Sequence, residues 1–216
     1  RLPDAKAKLG DSLLGLGMLM QATTTYEEWL RDFSINKQSG AIRLNYARCF
    51  EAMGEWHKAI AQFKEYLKKN PKSPDLRLHI AEVYRDILKS PKDAVREYND
   101  ILRKVPDFSK KLELKLQLAG LHRRQGGQIA QAREIYTEIA KEFPKSPEAQ
   151  RSLKLAAWLS EDGGLKDYNA AMQAYRDYVK AYPQSDDQYQ IYLRMGKISR
   201  DRLNQPTNAS DWFDKA

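Results

Sequence analysis

The sequence predicts an all-α fold of about twelve helices, paired as antiparallel hairpins and stacked in an α-α superhelix, or solenoid. Three observations predict it. An alanine, an aromatic residue four positions later and a proline eight positions after that recur at spacings of 35, 38 and 39 residues. A small residue recurs upstream of each alanine, and Gly or Ser-Pro pairs fall between the helices. A period of this length is that of one helical hairpin.

The alanine and the aromatic residue of this signature lie on one helix face, because they are four positions apart. The alanine lets a neighbouring backbone approach, and the ring fills the space beside it. The proline cannot continue a helix and marks the turn that follows. Four copies are complete: Ala59-Phe63-Pro71, Ala94-Tyr98-Pro106, Ala132-Tyr136-Pro144 and Ala171-Tyr175-Pro183. A fifth, Ala209-Phe213, begins 38 residues after the fourth.

A small residue lies 12 to 15 positions before each alanine, in the predicted first helix of the hairpin, and we expect it to face the second helix. The small residues are Ala47, Ala81, Ala119, Ala156 and Gly196. A leucine precedes each of them by three positions: Leu44, Leu78, Leu116, Leu153 and Leu193. These spacings have the period of a helix and not the alternation of a strand.

The turn residues divide the chain into hairpins. Gly54, Gly126-Gly127 and Gly163-Gly164 separate the two helices of three hairpins, and Ser90-Pro91 does so in another, with Pro at the first helical position. The predicted organisation is a degenerate hairpin over 1–39, four repeats over 40–183 (about 40–73, 74–108, 109–146 and 147–185) and a truncated fifth repeat over 184–216 that continues the solenoid.

Residues 1–39 are the weakest part of the pattern. Gly10 lies 37 residues before Ala47, at the expected small position, but we expect the Ala-aromatic-Pro signature to be absent there. The first helix is predicted over 3–21 and the second over 24–35, with Gly15-Leu16-Gly17 inside the first.

A small residue followed by alanine, an aromatic residue and proline in a helical hairpin resembles the tetratricopeptide repeat. The resemblance covers 40–183, extends partly over 184–216 and is weak over 1–39. Two positions depart from the family's pattern. Its early aromatic residue is replaced by Arg43, Arg77, Lys115 and Ser152, and only Tyr192 fits. Its second alanine is replaced by Tyr66, Ile101, Ile139 and Tyr178, so we expect different packing between repeats.

The resemblance implies a non-enzymatic scaffold that binds a partner polypeptide through the concave face formed by the first helices. The family's register assigns these positions to that groove: Leu44, Arg48, Glu51, Leu78, Glu82, Arg85, Leu116, Arg123, Arg124, Leu153, Ala157, Leu193, Lys197 and Arg200. Any of them can instead be an ordinary surface or inter-repeat residue, and the leucines can belong to the core.

The groove positions do not reproduce the Lys and Asn clamp with which some family members hold a C-terminal carboxylate. The corresponding residues are Leu44 and Arg48, then Leu78 and Glu82. A groove lined by both leucines and charged residues suits an extended or helical partner segment, which apolar anchors would hold and polar groups would orient.

Basic residues outnumber acidic ones, giving a net charge of +8. Seven lie between 103 and 124, against Asp107 and Glu113: Arg103, Lys104, Lys110, Lys111, Lys115, Arg123 and Arg124. This basic segment supports an alternative function, RNA or other nucleic-acid binding, because phosphate contacts need Lys and Arg. A solvated Lys/Arg-rich helix surface is the simpler interpretation, and no regular pair of base-reading side chains recurs per repeat.

Catalytic residues, metal ligands and cofactor-binding residues are not predicted. His57, His79 and His122 have no metal-ligand spacing, and His122 is expected to be a packed side chain. The single cysteine, Cys49, is expected to be buried and inert. Phosphate-binding glycine motifs and the nucleophile motif GxSxG do not occur.

The phrases NPKSP, FPKSP and YPQS at the hairpin junctions resemble family members of the bacterial cell envelope. The periplasm is therefore the expected compartment, with the cytoplasm as the alternative. No apolar run approaches the roughly 18 residues of a membrane span, and a signal peptide is not expected within the chain.

The chain begins at Arg1 and ends within a predicted helix, from which we expect it to be a piece of a longer protein. The fifth repeat stops before its proline, so we expect apolar surface at Trp212 and Phe213 and self-association through this end.

Overall fold

The computed structural model describes residues 2–125 and 127–216, and within them it contains twelve α-helices and no strand. The helices are α1 Leu2–Gly15, α2 Leu19–Asp32, α3 Ser39–Ala52, α4 Trp56–Lys69, α5 Pro74–Glu82, α6 Pro91–Lys104, α7 Lys111–Arg124, α8 Ile129–Glu142, α9 Pro147–Glu161, α10 Tyr168–Ala181, α11 Gln188–Asp201 and α12 Pro206–Asp214. A π-helical turn, Val83–Ile87, extends α5. The all-α hairpin fold is confirmed; Gly126 of the predicted Gly126-Gly127 turn lies outside the described residues.

The chain divides into two compact units, Arg1–Phe108 and Ser109–Ala216. The first unit contains the hairpins α1/α2, α3/α4 and α5/α6, and the second contains α7/α8, α9/α10 and α11/α12. In each hairpin the two helices pack against one another along their length.

The signature residues form the cores of these hairpins. The alanines Ala59, Ala94, Ala132 and Ala171 and their aromatic partners are all buried. The small first-helix residues are equally buried where they are alanines. At Gly196 an added Cβ would overlap the ring of Phe213, so only glycine fits beside that ring. The small position is therefore where the second helix approaches the first most closely.

The first hairpin differs from its predicted boundaries. The expected helix over 3–21 is wrong: α1 ends at Gly15 and α2 begins at Leu19, because Gly17 takes a left-handed φ of 73° that breaks the helix. Ala22 and Tyr26 are then fully buried on α2.

This hairpin therefore carries most of the signature that was expected to be absent. Ala22 lies 37 residues before Ala59, with Tyr26 four residues later. An added Cβ on Gly10 would lie 2.5 Å from Cε1 of Tyr26, so Gly10 is a true small position. Only the proline is missing, and Ser34 stands in its place.

Five of the hairpins turn through the same backbone shape. In each, a residue with left-handed φ stands two positions before the second helix, and these residues are Gly17, Gly54, Lys89, Lys166 and Asn204. The next residue donates its N–H to a carbonyl near the end of the first helix: Met18 to Leu13, Glu55 to Phe50, Ser90 to Tyr84, Asp167 to Ser160 and Gln205 to Ser199, at 2.7–2.9 Å. These bonds satisfy carbonyls that the helix end would leave unpaired.

Polar links replace the family's early aromatic residue. Three of them join a first helix to the second helix of the same hairpin: Arg43 to Gln62 at 3.0 Å, Arg77 to Glu97 and Asp100 at 3.2 Å, and Lys115 to Glu138 and Glu142 at 2.7 Å. Ser152 is fully buried, and its hydroxyl has no hydrogen-bond partner among the described residues. Tyr192, which fits the family's pattern, stacks on Trp212 with ring centroids 6.2 Å apart.

Candidate partner-binding surface

A cleft of about 410 Å³ lies in the first unit, between the α3/α4 hairpin and the start of α5. Leu44, Arg48 and Glu51 line it from successive turns of α3. The remaining lining consists of Phe63 and Tyr66 of α4, and Ser73, Leu76 and His79 at and after the start of α5. The structure thus brings three of the predicted groove residues into one cleft, which we call the α3–α5 cleft.

The sequence of α3 determines which of its sides faces the cleft. Ile42, Tyr46, Ala47, Cys49 and Phe50 are buried, and their spacing places them on the sides of the helix that pack in the hairpin core. Leu44, Arg48 and Glu51, spaced by four and three residues, share the remaining side. The side of α3 that faces the cleft is therefore the side that does not take part in the hairpin core.

Cys49 lies next to Arg48 in sequence but belongs to the core. Its side chain is fully buried, and burial raises the pKa of the thiol to about 11. The thiol is therefore protonated at neutral pH, and the expectation of a buried cysteine is confirmed.

A chain of hydrogen bonds holds the polar residues at the α1 side of the cleft. Oδ1 of Asp11 accepts from the Tyr26 hydroxyl at 2.7 Å and from Nδ2 of Asn45 at 2.8 Å. Oδ1 of Asn45 accepts in turn from Nη1 of Arg48 at 3.1 Å. Arg48 is exposed, and no described carboxylate lies within ion-pair distance of its guanidinium. Its charge is oriented by a neutral amide and is not paired with an acid.

The opposite side of the cleft is closed by a contact between α3 and α5. Nε2 of His79 lies 2.5 Å from Oε1 of Glu51. The hydrogen bond from His79 to Glu51 raises the pKa of His79, and the charges of Glu51 and Glu82 act in the same direction, whereas burial opposes them. The imidazole also packs edge-on against Phe63, with ring centroids 5.7 Å apart.

The other predicted residues of the first unit do not line the cleft. Leu78 is half-buried and Glu82 is exposed. Arg85, in the π-helical turn, donates to the hydroxyl of Tyr98 on α6 at 2.8 Å and to Asp86 at 2.8 Å. Arg85 is thus engaged within its own hairpin.

In the second unit, three predicted groove residues contribute to packing. Leu153 and Ala157 are buried in a core cluster of α9, α10 and α11, because Ile191 and Met195 of α11 belong to the same cluster. Ala157 is fully buried, whereas Leu153 is 7% exposed and also lines a cleft of about 570 Å³ together with residues of α8 and α10. Leu116 is half-buried against the core of α7, α8 and α9.

The remaining predicted residues of the second unit lie on α7 and α11. Arg123 and Arg124 are exposed at the end of α7. Leu193 is half-buried, and Lys197 and Arg200 are exposed. Arg200 donates to Asp201 at 2.7 Å and lies 5.7 Å from the ring centroid of Phe213. The structure does not bring these residues together in a described cleft.

Trp212 and Phe213, expected to be exposed at the C-terminal end, are only partly so. Trp212 stacks on Tyr192, and the ring of Phe213 lies against Gly196. Both side chains extend from α12 and are half-buried against α11. The apolar surface that was expected to drive self-association is therefore reduced within the hairpin itself.

Much of the basic segment over 103–124 is neutralised. Several of its basic residues make ion pairs of 2.6–3.0 Å: Arg103 and Lys104 with Asp100, Lys111 with Glu142, and Lys115 with Glu138 and Glu142. Lys115 is also buried. All three acids lie outside 103–124, which is why counting charges within the segment overestimated its positive potential.

Five cleft residues were missed by the sequence analysis: Phe63, Tyr66, Ser73, Leu76 and His79. Leu76 and His79 are three positions apart and so share a side of α5, but this spacing occurs in any amphipathic helix. The family's register pointed to Leu78 and Glu82 instead. Repeat position alone did not identify the side of α5 that faces α3.

Over residues 2–125 and 127–216, no three or more His, Cys, Asp and Glu side chains are arranged to hold a metal ion. Within the same residues, no helix has both the length and the hydropathy needed to cross a bilayer.

Among solved structures, the chain resembles a tetratricopeptide repeat protein from Parabacteroides merdae, with 14% sequence identity and a TM-score of 0.53 over 99% of this chain and 78% of that one. It also resembles a chain in a structure of Naa15/Naa10 bound to HypK-THB, with 17% identity and a TM-score of 0.61. That match covers 98% of this chain but 31% of the other, so this chain spans about a third of that relative. At these identities the likeness concerns the fold alone.

Sequence comparison finds no match among curated proteins. Two family models of the tetratricopeptide repeat match residues 40–83 and 118–186, which together make up just over half of the chain. These matches fall on the hairpins that carry the Ala-aromatic-Pro signature. The chain therefore belongs to the tetratricopeptide repeat family.

Proposed function

We propose that this protein is a non-enzymatic scaffold that binds a segment of a partner polypeptide in the α3–α5 cleft. Membership of a family of protein-interaction scaffolds supports the general role. The observation that carries the specific site is the convergence of Leu44, Arg48 and Glu51 with Leu76 and His79 around one cleft.

The size and lining of the cleft favour a segment of chain as the ligand. A volume of about 410 Å³ is at the lower end of the roughly 300–1,000 Å³ of ligand pockets, and it accommodates a few side chains, not a folded domain. Leucine and phenylalanine side chains supply apolar contacts, whereas Arg48, Glu51 and His79 supply charge and hydrogen bonds. Such a mixture binds a peptide through apolar anchors and orients it through polar groups.

The cleft contains a histidine, a carboxylate and a serine, but they do not form a catalytic arrangement. A serine nucleophile needs a hydrogen bond to its base. Among the described residues, Ser73 makes no such bond to His79, whose Nε2 is directed to Glu51. We therefore propose binding without catalysis.

We also propose that the hairpins act as repeats of one scaffold, with an N-terminal hairpin over 1–39, four repeats over 40–73, 74–108, 109–146 and 147–185, and a further hairpin over 184–216. The recurrence of the signature supports this division.

Site-specific photo-crosslinking in the cells that make the protein tests the proposed site. A photoreactive amino acid would replace Arg48 in one variant and Arg96, an exposed residue of α6 outside the cleft, in the other. Circular dichroism would establish that both variants fold. We expect the position-48 variant to crosslink to one or a few polypeptides that the position-96 variant does not capture.

Peptide mapping of the crosslink would then show a single short segment of the partner. Identical products from both positions, or no product from position 48 in folded protein, would contradict the proposed site.

A further inference from the structure

The charges that line the α3–α5 cleft are unequally satisfied. The carboxylate of Glu51 is engaged by His79 at 2.5 Å. Arg48, in contrast, is held only by the amide of Asn45 at 3.1 Å, and it has no acidic partner among the described residues. The cleft therefore presents one cation that is oriented but unpaired. A guanidinium binds a carboxylate more strongly than any neutral acceptor, through shorter, charge-assisted hydrogen bonds.

Nearby acids do not supply the missing partner. Asp11 already accepts hydrogen bonds from Tyr26 and Asn45. Glu82 is exposed and does not line the cleft. The unpaired group that a ligand meets in the cleft is thus the Arg48 guanidinium.

The apolar part of the cleft lies directly beside this cation. Leu44 precedes Arg48 by four residues, so the two side chains emerge one helical turn apart, with Cβ atoms about 5–6 Å from one another. Leu76 lies across the cleft on α5, and the buried ring of Phe63 is part of the same lining. If one side chain of a ligand fills the apolar part of the cleft, a neighbouring side chain of that ligand lies close to the Arg48 guanidinium.

We infer that the cleft selects partner segments in which a carboxylate lies within about one helical turn of a large apolar side chain. In an extended segment these are residues one or two positions apart, since each residue advances about 3.3 Å. In a helical segment they are three or four positions apart. This inference rests on the proposed function, because it describes what that site prefers.

Display of random peptides of about twelve residues on phage tests the preference. The displayed pool would be panned on the wild-type protein, on Arg48→Gln, on Leu44→Asp and on Arg31→Gln, a control that removes an exposed arginine of α2. We expect wild type and Arg31→Gln to enrich Asp or Glu close to Leu, Ile, Phe or Met. Arg48→Gln should retain the apolar residue and lose the acidic one, and Leu44→Asp should enrich neither.

The most enriched peptide and its Glu→Gln or Asp→Asn counterpart would then be measured by fluorescence anisotropy. Removing the peptide carboxylate, or replacing Arg48 with Gln, should each weaken binding about tenfold, as expected for one charge-assisted contact. Making both changes should cost little more than either alone, since both remove the same contact.

The outcomes separate this inference from the proposed function. Peptides whose enrichment depends on Leu44 but not on an acid would overturn the inference and leave the proposed site intact. Acid-containing peptides bound equally by Arg48→Gln would also overturn it. If wild type enriches no peptide in a Leu44-dependent way, the proposed site itself is wrong, and the inference falls with it.

Discussion

Arg77 of α5 and Glu97 of α6 form a buried ion pair, with Nη1 and Oε2 3.2 Å apart and side chains only 9% and 5% exposed. Each residue has a second charged partner, because Arg77 also reaches Asp100 at 3.2 Å and Glu97 also accepts from Lys64 of α4 at 3.3 Å. The pair therefore joins the two helices of one hairpin and links that hairpin to the preceding one. Tetratricopeptide repeats usually have an aromatic residue at the position of Arg77, and that residue would join the helices by packing instead of by charge.

Replacing Arg77 with Met should lower the free energy of unfolding by about 3 kcal/mol. Breaking a buried pair by removing one charge typically costs roughly 3–5 kcal/mol, and the lower end applies because Lys64 still neutralises Glu97 in part. Urea denaturation followed by circular dichroism would measure the change. The matched control is Arg96→Met, which removes an exposed pair of 2.7 Å with Asp93 and should cost about 0.5 kcal/mol or less. Equal losses in the two variants would show that burial of the Arg77 pair does not matter.

The shared turn predicts opposite effects at two equivalent positions. Gly54 has a φ of 75°, and an added Cβ there would meet no atom within 4 Å, so Gly54→Ala should cost about 1 kcal/mol through backbone strain alone. Lys89 has a φ of 51°, and Lys89→Gly should raise stability by up to about 1 kcal/mol because it relieves that strain. Thermal unfolding of both variants would check the signs. A loss of stability in Lys89→Gly would mean that its side chain contributes more than its backbone costs.

Two helical glycines also predict effects of opposite sign. At Gly196 a methyl group would overlap the ring of Phe213, so Gly196→Ala should destabilise the protein by about 1–3 kcal/mol. At Gly120, on α7, a methyl group would meet nothing within 4 Å, so Gly120→Ala should stabilise it by about 0.5–1 kcal/mol. Both free energies can be taken from urea unfolding. Adding Phe213→Leu to Gly196→Ala should recover part of the loss, and no recovery would argue against the overlap as its cause.

The contact between His79 and Glu51 predicts a pH dependence of stability. The pKa of His79 is raised in the folded protein, so folding is favoured by protonation. The stabilisation is fully present below the unfolded pKa of about 6.5 and is lost as the pH rises through the higher folded value. Its size should be about 0.2–1 kcal/mol, since the imidazole is partly exposed.

The measurement is the stability difference between wild type and His79→Gln at about pH 5.5 and about pH 9. The difference should be larger at the lower pH. The matched control is His57→Gln, which changes an exposed histidine without a described carboxylate partner. A difference that grows with pH would contradict the assigned direction of the shift.

The hairpin fold was predictable because its signals are local and repeated. An alanine and an aromatic residue four apart specify a helix face wherever they occur, and five copies in one chain reinforce each other. The first hairpin was misassigned because its break depends on Gly17, and glycine in a helical pattern is an ambiguous signal. Ala22 and Tyr26 are buried as in the other hairpins, but Ser34 stands where a proline would complete the signature, so the local pattern is incomplete.

The candidate site was only partly predictable, because it depends on contacts distant in sequence. Leu44, Arg48 and Glu51 were found from the repeat register, but His79 closes the cleft by reaching a residue 28 positions away. The same limitation affected the basic segment, where Glu142 pairs with lysines of the preceding helix. Leu153 and Ala157 occupy the expected repeat positions, yet the core that α9 shares with α10 and α11 buries them. The repeat register identifies equivalent residues in successive hairpins. Whether such a residue is exposed depends on the side chains that the adjacent helices place against it.

The burial of Cys49 has a practical consequence for spectroscopy. It is the sole cysteine of the chain, it is inaccessible, and its thiol is protonated at neutral pH. A maleimide reagent needs an accessible thiolate, so it will discriminate strongly against the native thiol in folded protein. Two cysteines introduced at exposed positions can therefore carry a pair of fluorophores or spin labels without first removing Cys49, and the distance between them can be measured in a chain whose core is unaltered.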